Sequence, residues 1–380
     1  MIYLDNAATS WPKPEAVYLI SDKVLREESG NPGRSGHTLS LAAGRRIEET
    51  RLFAARFFGI QKPERMCFTL NATDALNLAL KGLLRSGDHV IAGSMEHNSV
   101  ARPLETLKER GVEYTKIPAS PVYGTDPADV KAALRANTKL AVFSHVSNVC
   151  GTVNPIAEIG ALCREHGILL LVDAAQSAGA FPINVEKMNV DLLAFPGHKG
   201  LLGPQGTGGL YIREGLVLAP LREGGTGSRS EELIQPASLP ERYESGTQNT
   251  AGIAALGEGI RFLIEEGPEK IRDHEAILAS RLIEDVRAIP GLTFYGPPAG
   301  AGRSGVVSVT LSGLDPVEVA LILDNSFGIA VRAGLHCAPD AHRTLGTLER
   351  GGTIRISAGC FNTIEDIDRC IKALSAIAKE

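Results

Sequence analysis

The chain reads as an α/β fold: a mostly parallel sheet covered by helices on both faces, followed by a smaller α+β domain. Three observations lead there. At 380 residues it exceeds one typical domain and fits a large unit with a smaller companion. Apolar runs without strict polar alternation recur between about 45 and 215, and most are followed by an amphipathic stretch, the pattern of strands buried on both faces by crossover helices. Beyond about 290 the order changes to separated strands and a closing helix.

The elements follow in order. Arg65-Met66-Cys67-Phe68-Thr69 is a strand with a helix over 74–84, His89-Val90-Ile91-Ala92 a strand with a helix over 100–110, and Leu140-Ala141-Val142-Phe143 a strand with a helix over 156–166. Further strands are expected at 168–172 and 192–195. From about 215 to 250 glycine, serine, proline and charge replace periodicity, which reads as a long functional loop, with Glu223-Gly224-Gly225-Thr226-Gly227-Ser228 inside it. Helices are then expected over 250–266 and 268–289, strands over 306–311 and 353–357, and a last helix over 364–377.

Composition narrows the function. Lys plus Arg at 39 against Asp plus Glu at 44 gives a net charge of -5, which disfavours nucleic acid as the main partner. No apolar run approaches a membrane span, and the start lacks a signal peptide's basic and apolar regions, so a cytoplasmic protein is expected. The 6 cysteines have no close metal spacing and no oxidising context to pair them, which leaves buried thiols with one reactive exception. The 41 glycines imply many tight turns and close backbone approaches to a ligand.

In such sheets ligands gather at the carboxyl ends of strands. Lys199 lies there, in Pro196-Gly197-His198-Lys199-Gly200, either as a solvated loop lysine or as a desolvated amine able to form a Schiff base with an aldehyde. Asp173 ends the run Leu169-Leu170-Leu171-Val172, as a helix cap or as an acid facing a cationic ring. Together the two meet the needs of pyridoxal phosphate, which requires a lysine for the imine and an acid against its ring nitrogen. Asn71-Ala72-Thr73-Asp74 opens a helix, where free amides bind a phosphate or are simply capped. His97 follows another strand, as a structural histidine or as a ring stacked on the cofactor and able to move protons. Cys337 sits in a glycine- and proline-bounded loop with Arg332 and His336, surroundings that favour a thiolate. Arg355 is placed to grip a carboxylate or to form a surface salt bridge.

These segments resemble the cysteine desulfurases and selenocysteine lyases, within the class V aminotransferase branch of pyridoxal-phosphate fold type I enzymes. The motifs that carry the likeness run from Tyr3-Leu4-Asp5-Asn6-Ala7-Ala8-Thr9 and Asn31-Pro32-Gly33-Arg34-Ser35-Gly36-His37 through Glu96-His97 and Ser147-Asn148-Val149-Cys150-Gly151. They continue with Val172-Asp173-Ala174-Ala175-Gln176, Gly197-His198-Lys199, Glu244-Ser245-Gly246-Thr247-Gln248-Asn249-Thr250 and Arg332-Ala333-Gly334-Leu335-His336-Cys337-Ala338.

The resemblance implies a large cofactor domain over 16–255, built on a mostly parallel sheet of the seven-stranded type, and a small domain from 1–15 with 256–380. It implies that Lys199 anchors the cofactor and moves the α proton, that Asp173 holds the ring nitrogen and Gln176 the phenolic oxygen, and that His97 stacks on the ring. Thr73, His198 and the Ala72 amide would hold the phosphate, joined by Thr247 from the second subunit of a homodimer. Asn148, Arg355 and His37 would bind the substrate. Cys337 would take sulfur from L-cysteine, or selenium from L-selenocysteine, and pass it to an acceptor serving iron–sulfur assembly, RNA thiolation or selenium recycling. The R-x-G-x-H-C pattern is of the SUF type, with a short loop and slow turnover without an acceptor or reductant. Pro196, Ala72 and Leu335 depart from that group, so phosphate binding should lean on Thr73, His198 and Thr247. The alternatives are a class V transaminase, a lyase of another sulfur amino acid, and a sulfur carrier without turnover.

Overall fold

Alternation within the apolar runs decides how the large unit is built. In a computed structural model, which describes residues 1–33, 36–227, 231–300 and 302–379, five of these runs and two further strands pair into one sheet. They are β1 (Met66–Thr69), β2 (His89–Gly93), β3 (Glu113–Ile117), β4 (Thr138–Ser144), β5 (Leu169–Asp173), β6 (Leu192–Pro196) and β7 (Gly208–Ile212). Arg34 and Ser35 of the 31–37 motif, and Ser228 of the glycine-rich segment, lie outside the described residues.

The strand order is β1-β7-β6-β5-β4-β2-β3. Pairing is parallel except for β7, which runs antiparallel to both neighbours. Successive strand residues point to opposite faces. Phe68, Ile91, Phe143, Val172 and Phe195 therefore enter one core, while Cys67, Val90, Val142, Leu171 and Ala194 enter another on the reverse side. β7 passes close to β6 because of a glycine: a Cβ on Gly209 would lie 2.4 Å from the Phe195 ring.

The second sheet comprises β8 (Leu292–Tyr295), β9 (Val306–Leu311), β10 (Arg332–Gly334) and β11 (Thr353–Ser357), ordered β8-β9-β11-β10 and wholly antiparallel. Its core takes in Ile2 and Leu4 from the start of the chain, and the strand Ile2–Tyr3 pairs in parallel with Ile329–Ala330. The closing helix Ile364–Ile377 is held by a capping box in which Thr363 and Asp366 satisfy each other's backbone amides. The helix expected over 268–289 stops at Val286, shortly before Pro290-Gly291. The helix after β2 starts earlier than expected, at Asn98, because His97 caps it.

Among the described residues the stretch from 213 to 249 holds neither helix nor strand. A buried ion pair ties it down: Arg51, on the helix Thr38–Phe58, donates to both Glu244 carboxylate oxygens at 2.8 and 3.0 Å, and Glu244 also accepts from the Phe68 amide at 2.6 Å. Removing one partner of such a pair costs about 3–5 kcal/mol, because the other is left charged and dry. No helix among the described residues is long and apolar enough to cross a membrane.

Candidate active site

Parallel strands β4, β5 and β6 end side by side, and the residues that follow them turn into one cavity of about 300 Å³. Lys199 comes from the turn after β6. A Cβ on Gly197 would lie 2.1 Å from Thr207 Oγ1, so only glycine lets that turn pass. Burial, and then the positive charge of Arg355, lower the Lys199 pKa to about 8, with Asp173 opposing. Half-buried at the cavity wall with that lowered pKa, Lys199 fits the desolvated amine of the two readings.

Asp173, the last residue of β5, is 4% exposed. Its Oδ1 accepts from the Ala175 amide at 2.9 Å, so it caps its own turn, while Oδ2 has no protein partner among the described residues. Burial raises its pKa, against the Ala175 hydrogen bond and Lys199. Gln176 also faces the cavity and donates from Nε2 to the Ala7 carbonyl at 3.0 Å.

The opposite wall is the start of the helix Ala72–Leu83. Asn71 Oδ1 caps the Asp74 amide at 2.9 Å, which leaves the first amides, of Ala72 and Thr73, free at the positive end of the helix. Thr73 Oγ1 lies 2.7 Å from Ser99 Oγ, which lies 2.9 Å from His97 Nδ1. The Ser99 amide donates to the same nitrogen at 3.0 Å. Burial, followed by Lys199 and nearby arginines, lowers the His97 pKa to about 4. The ring is neutral near pH 7, which suits it to stacking and leaves Nε2 as its free nitrogen. Below it Glu96 accepts from the Ser144 amide at 3.1 and 2.9 Å, and burial pushes its pKa up to about 8.

Pyridoxal phosphate fits the unsatisfied groups of this lining. Two free amides at a helix start and the partnerless His198 Nδ1 suit a phosphate, the open Asp173 Oδ2 suits a cationic ring nitrogen, and the desolvated Lys199 amine suits an aldehyde. Pro196 lines the cavity and brings neither hydroxyl nor amide, so the helix start carries that role.

Asn148 lines the same cavity, with Nδ2 donating to the His336 carbonyl at 2.7 Å. Arg355 stands behind it. Only 1% exposed, it gives Nη2 to Asp5 at 2.8 Å and Nη1 to the Asn148 carbonyl at 3.1 Å, while Nε has no partner. The surface salt bridge open in the sequence is thus a buried anchor. Cys337 is the exposed one of the free cysteines; Cys360 is half-buried and the other four are buried.

Its loop is strained and pinned. His336 and Cys337 have φ of 49° and 57°, left-handed values costing about 1–3 kcal/mol each. Asn148 on the His336 carbonyl, Thr353 Oγ1 at 3.1 Å from His336 Nε2, and the Asn98 amide on the Cys337 carbonyl at 2.8 Å offset the strain. Arg332 Nη2 lies 3.6 Å from the Cys337 sulfur.

Two residues stand apart. His37 is exposed and caps the helix Thr38–Phe58 through the Ser40 amide at 3.3 Å; Thr247 is exposed on the 213–249 stretch. Neither lines the cavity, but their neighbours Gly36, Ser40, Gly246 and Gln248 line a separate cleft of about 700 Å³. Ser99 and Asp5 went unread in the sequence. Asp5 lay within the Tyr3–Thr9 motif without being given a role, which was the one signal it gave.

The aminotransferase class-V family model matches residues 2–370. A probable cysteine desulfurase of Methanothermobacter thermautotrophicus is 37% identical over 99% of this chain and 94% of its own length. A cysteine desulfurase of Salmonella agona is 36% identical over 99% and 93%. Among solved structures, the apo cysteine desulfurase of Thermococcus onnurineus superposes with a TM-score of 0.93 at 34% identity, covering 100% of this chain and 94% of that one. A cysteine desulfurase of Escherichia coli in an S-sulfonic acid form gives 0.88 at 26%, covering 99% and 94%.

Proposed function

The chain belongs to the aminotransferase class-V family, and we propose that it is a pyridoxal-phosphate-dependent cysteine desulfurase, converting L-cysteine to L-alanine and keeping the sulfur on Cys337 as a persulfide for an acceptor. One observation carries the reading: the cavity of Lys199 and the outer cleft of Cys337 share Thr73, His97 and Ser99, so a substrate held in the first presents its sulfur towards the second. A transaminase has no use for such a thiol.

When bound, pyridoxal phosphate supplies an electron sink for negative charge at the substrate's α carbon. Asp173 would pair with its ring nitrogen, Gln176 would hold its phenolic oxygen and His97 would stack on its ring. The Ala72 and Thr73 amides with His198 take the phosphate. Asn148 orients the substrate carboxylate at the cavity wall, and Arg355, held behind it, adds its positive charge. Lys199, in its neutral form, accepts the α proton and returns it to carbon. Cys337 Sγ attacks the substrate sulfur: the new sulfur–sulfur bond forms as the carbon–sulfur bond breaks, that electron pair stays with carbon, and the carbon skeleton leaves protonated as alanine.

The placement of Thr247 and His37 outside their own cavity supports a homodimer in which Thr247 reaches the partner subunit's phosphate site. Selenocysteine, differing by one atom, fits the same groups. The sulfur chemistry and the reduced thiols suit the cytoplasm. With L-cysteine and a reductant, alanine and sulfide are expected in equal amounts; a keto acid in place of alanine would refute the assignment.

A further inference from the structure

The cleft outside His97 has a chemistry that the desulfuration itself does not use. Two helices wall it, each with a ladder of residues four apart. Thr73, Asn77 and Lys81 come from Ala72–Leu83, and Asn98, Arg102 and Thr106 from Asn98–Lys108. Cys337 closes one end, where its carbonyl takes the Asn98 amide. The volume is about 380 Å³.

The charge here runs against the molecule. The chain carries a net -5, yet among the described residues Lys81, Arg102 and Arg332 have no carboxylate within ion-pair distance. The nearby acids are occupied: Asp74 pairs with Arg222 at 2.9 Å, and Asp340 with Lys116 at 2.6 Å and with Arg343. Unpaired cations around an exposed thiol steer a negatively charged partner onto it. From Thr73 to Lys81 the ladder rises about 12 Å at 1.5 Å per residue, the reach of about four residues of extended chain.

We propose that this cleft docks the sulfur acceptor, and that the acceptor is a protein segment whose cysteine has carboxylates within about four residues of it. The inference rests on the desulfurase reading. In the transfer the acceptor thiolate attacks the outer sulfur of the Cys337 persulfide. The bond from that sulfur to Sγ breaks, a sulfur–sulfur bond forms on the acceptor, and Cys337 leaves as a thiolate. One thiol and one persulfide exchange roles, so no oxidant or reductant is consumed.

The test uses the full-length holoenzyme loaded with L-cysteine and freed of excess. Short synthetic peptides with one cysteine flanked by aspartate, serine or lysine are then mixed in, and sulfur transfer is followed by mass spectrometry. The aspartate peptide is expected to react about tenfold faster than the serine peptide at low salt, and the lysine peptide slower than either. Salt of about 0.5 M should collapse the difference. The double variant Lys81→Glu with Arg102→Glu should load persulfide as the wild type does and reverse the order of the peptides.

Rates blind to peptide charge, or an unchanged order in the double variant, would overturn the inference. So would mercaptosuccinate reacting as fast as the aspartate peptide, which would make the occupant a small anionic thiol. A double variant with altered sedimentation and no change in transfer would make it a second copy of the chain, with the same result. If Cys337 never acquires a persulfide, the proposed function falls and this inference with it; loading followed by charge-blind transfer removes the inference alone.

Discussion

Lys199 and Cys337 are the two nucleophiles of the proposed reaction, and the fold houses them in opposite ways. Lys199 follows a buried strand of the parallel sheet, in a turn only glycine permits, and loses enough water to bring its pKa to about 8. Cys337 hangs from the antiparallel sheet in solvent, on left-handed residues pinned from several sides. Proton transfer at carbon gains from a dry, fixed base, whereas handing over sulfur needs a thiol that another molecule can reach. The inside is tuned by desolvation and the outside by backbone geometry.

The largest expected effect separates the two. Lys199→Ala should lower alanine formation by about 10²–10⁴ and abolish covalent retention of the cofactor. Cys337→Ala should stop sulfide release while keeping the bound cofactor's absorbance. If both variants lost the cofactor alike, the division of labour would be wrong.

A second effect belongs to Lys199 alone. A lysine pKa lowered to about 8 is neutral above that pH, so capture of pyridoxal phosphate by the apo-protein should rise with pH to about 8 and then level off. An ordinary lysine would keep gaining up to about 10.4. Stopped-flow absorbance across pH 6 to 10 reads the difference, and a profile still climbing at pH 10 would contradict the desolvated site.

The smallest effect belongs to Cys337. At a left-handed residue Cys337→Gly should be more stable than Cys337→Ala by about 1 kcal/mol, because only alanine pays the Cβ penalty. Lys199 is outside that region, so Lys199→Gly should be the less stable of its pair. Denaturant unfolding of the four variants measures both signs.

Much of this was legible in the sequence, for physical reasons. The strands at 306–311 and 353–357 and the helices at 250–266 and 364–377 fall where expected, since runs rich in β-branched residues and strong helical periodicity need no tertiary help. β3 escaped because an edge strand carries charge in place of an apolar run, here Glu113 and Lys116, and β7 because it opens with two glycines. At the site, Lys199, Asp173 and His97 stood out by following strands. The Arg355–Asp5 anchor joins residues 350 apart, and the Ser99 bridge from Thr73 to His97 depends on how two helices meet. Neither leaves a local pattern. The roles of Thr247 and His37 came from resemblance alone, and in this chain both lie outside the cavity.

The central claim is that sulfur passes through Cys337. Holoenzyme given L-cysteine without reductant or acceptor, quenched and digested, should show one extra sulfur atom on the peptide containing Cys337 and one alanine per loaded chain. Sulfide and alanine released at the full rate by Cys337→Ala, with no modified peptide in the wild type, would contradict it.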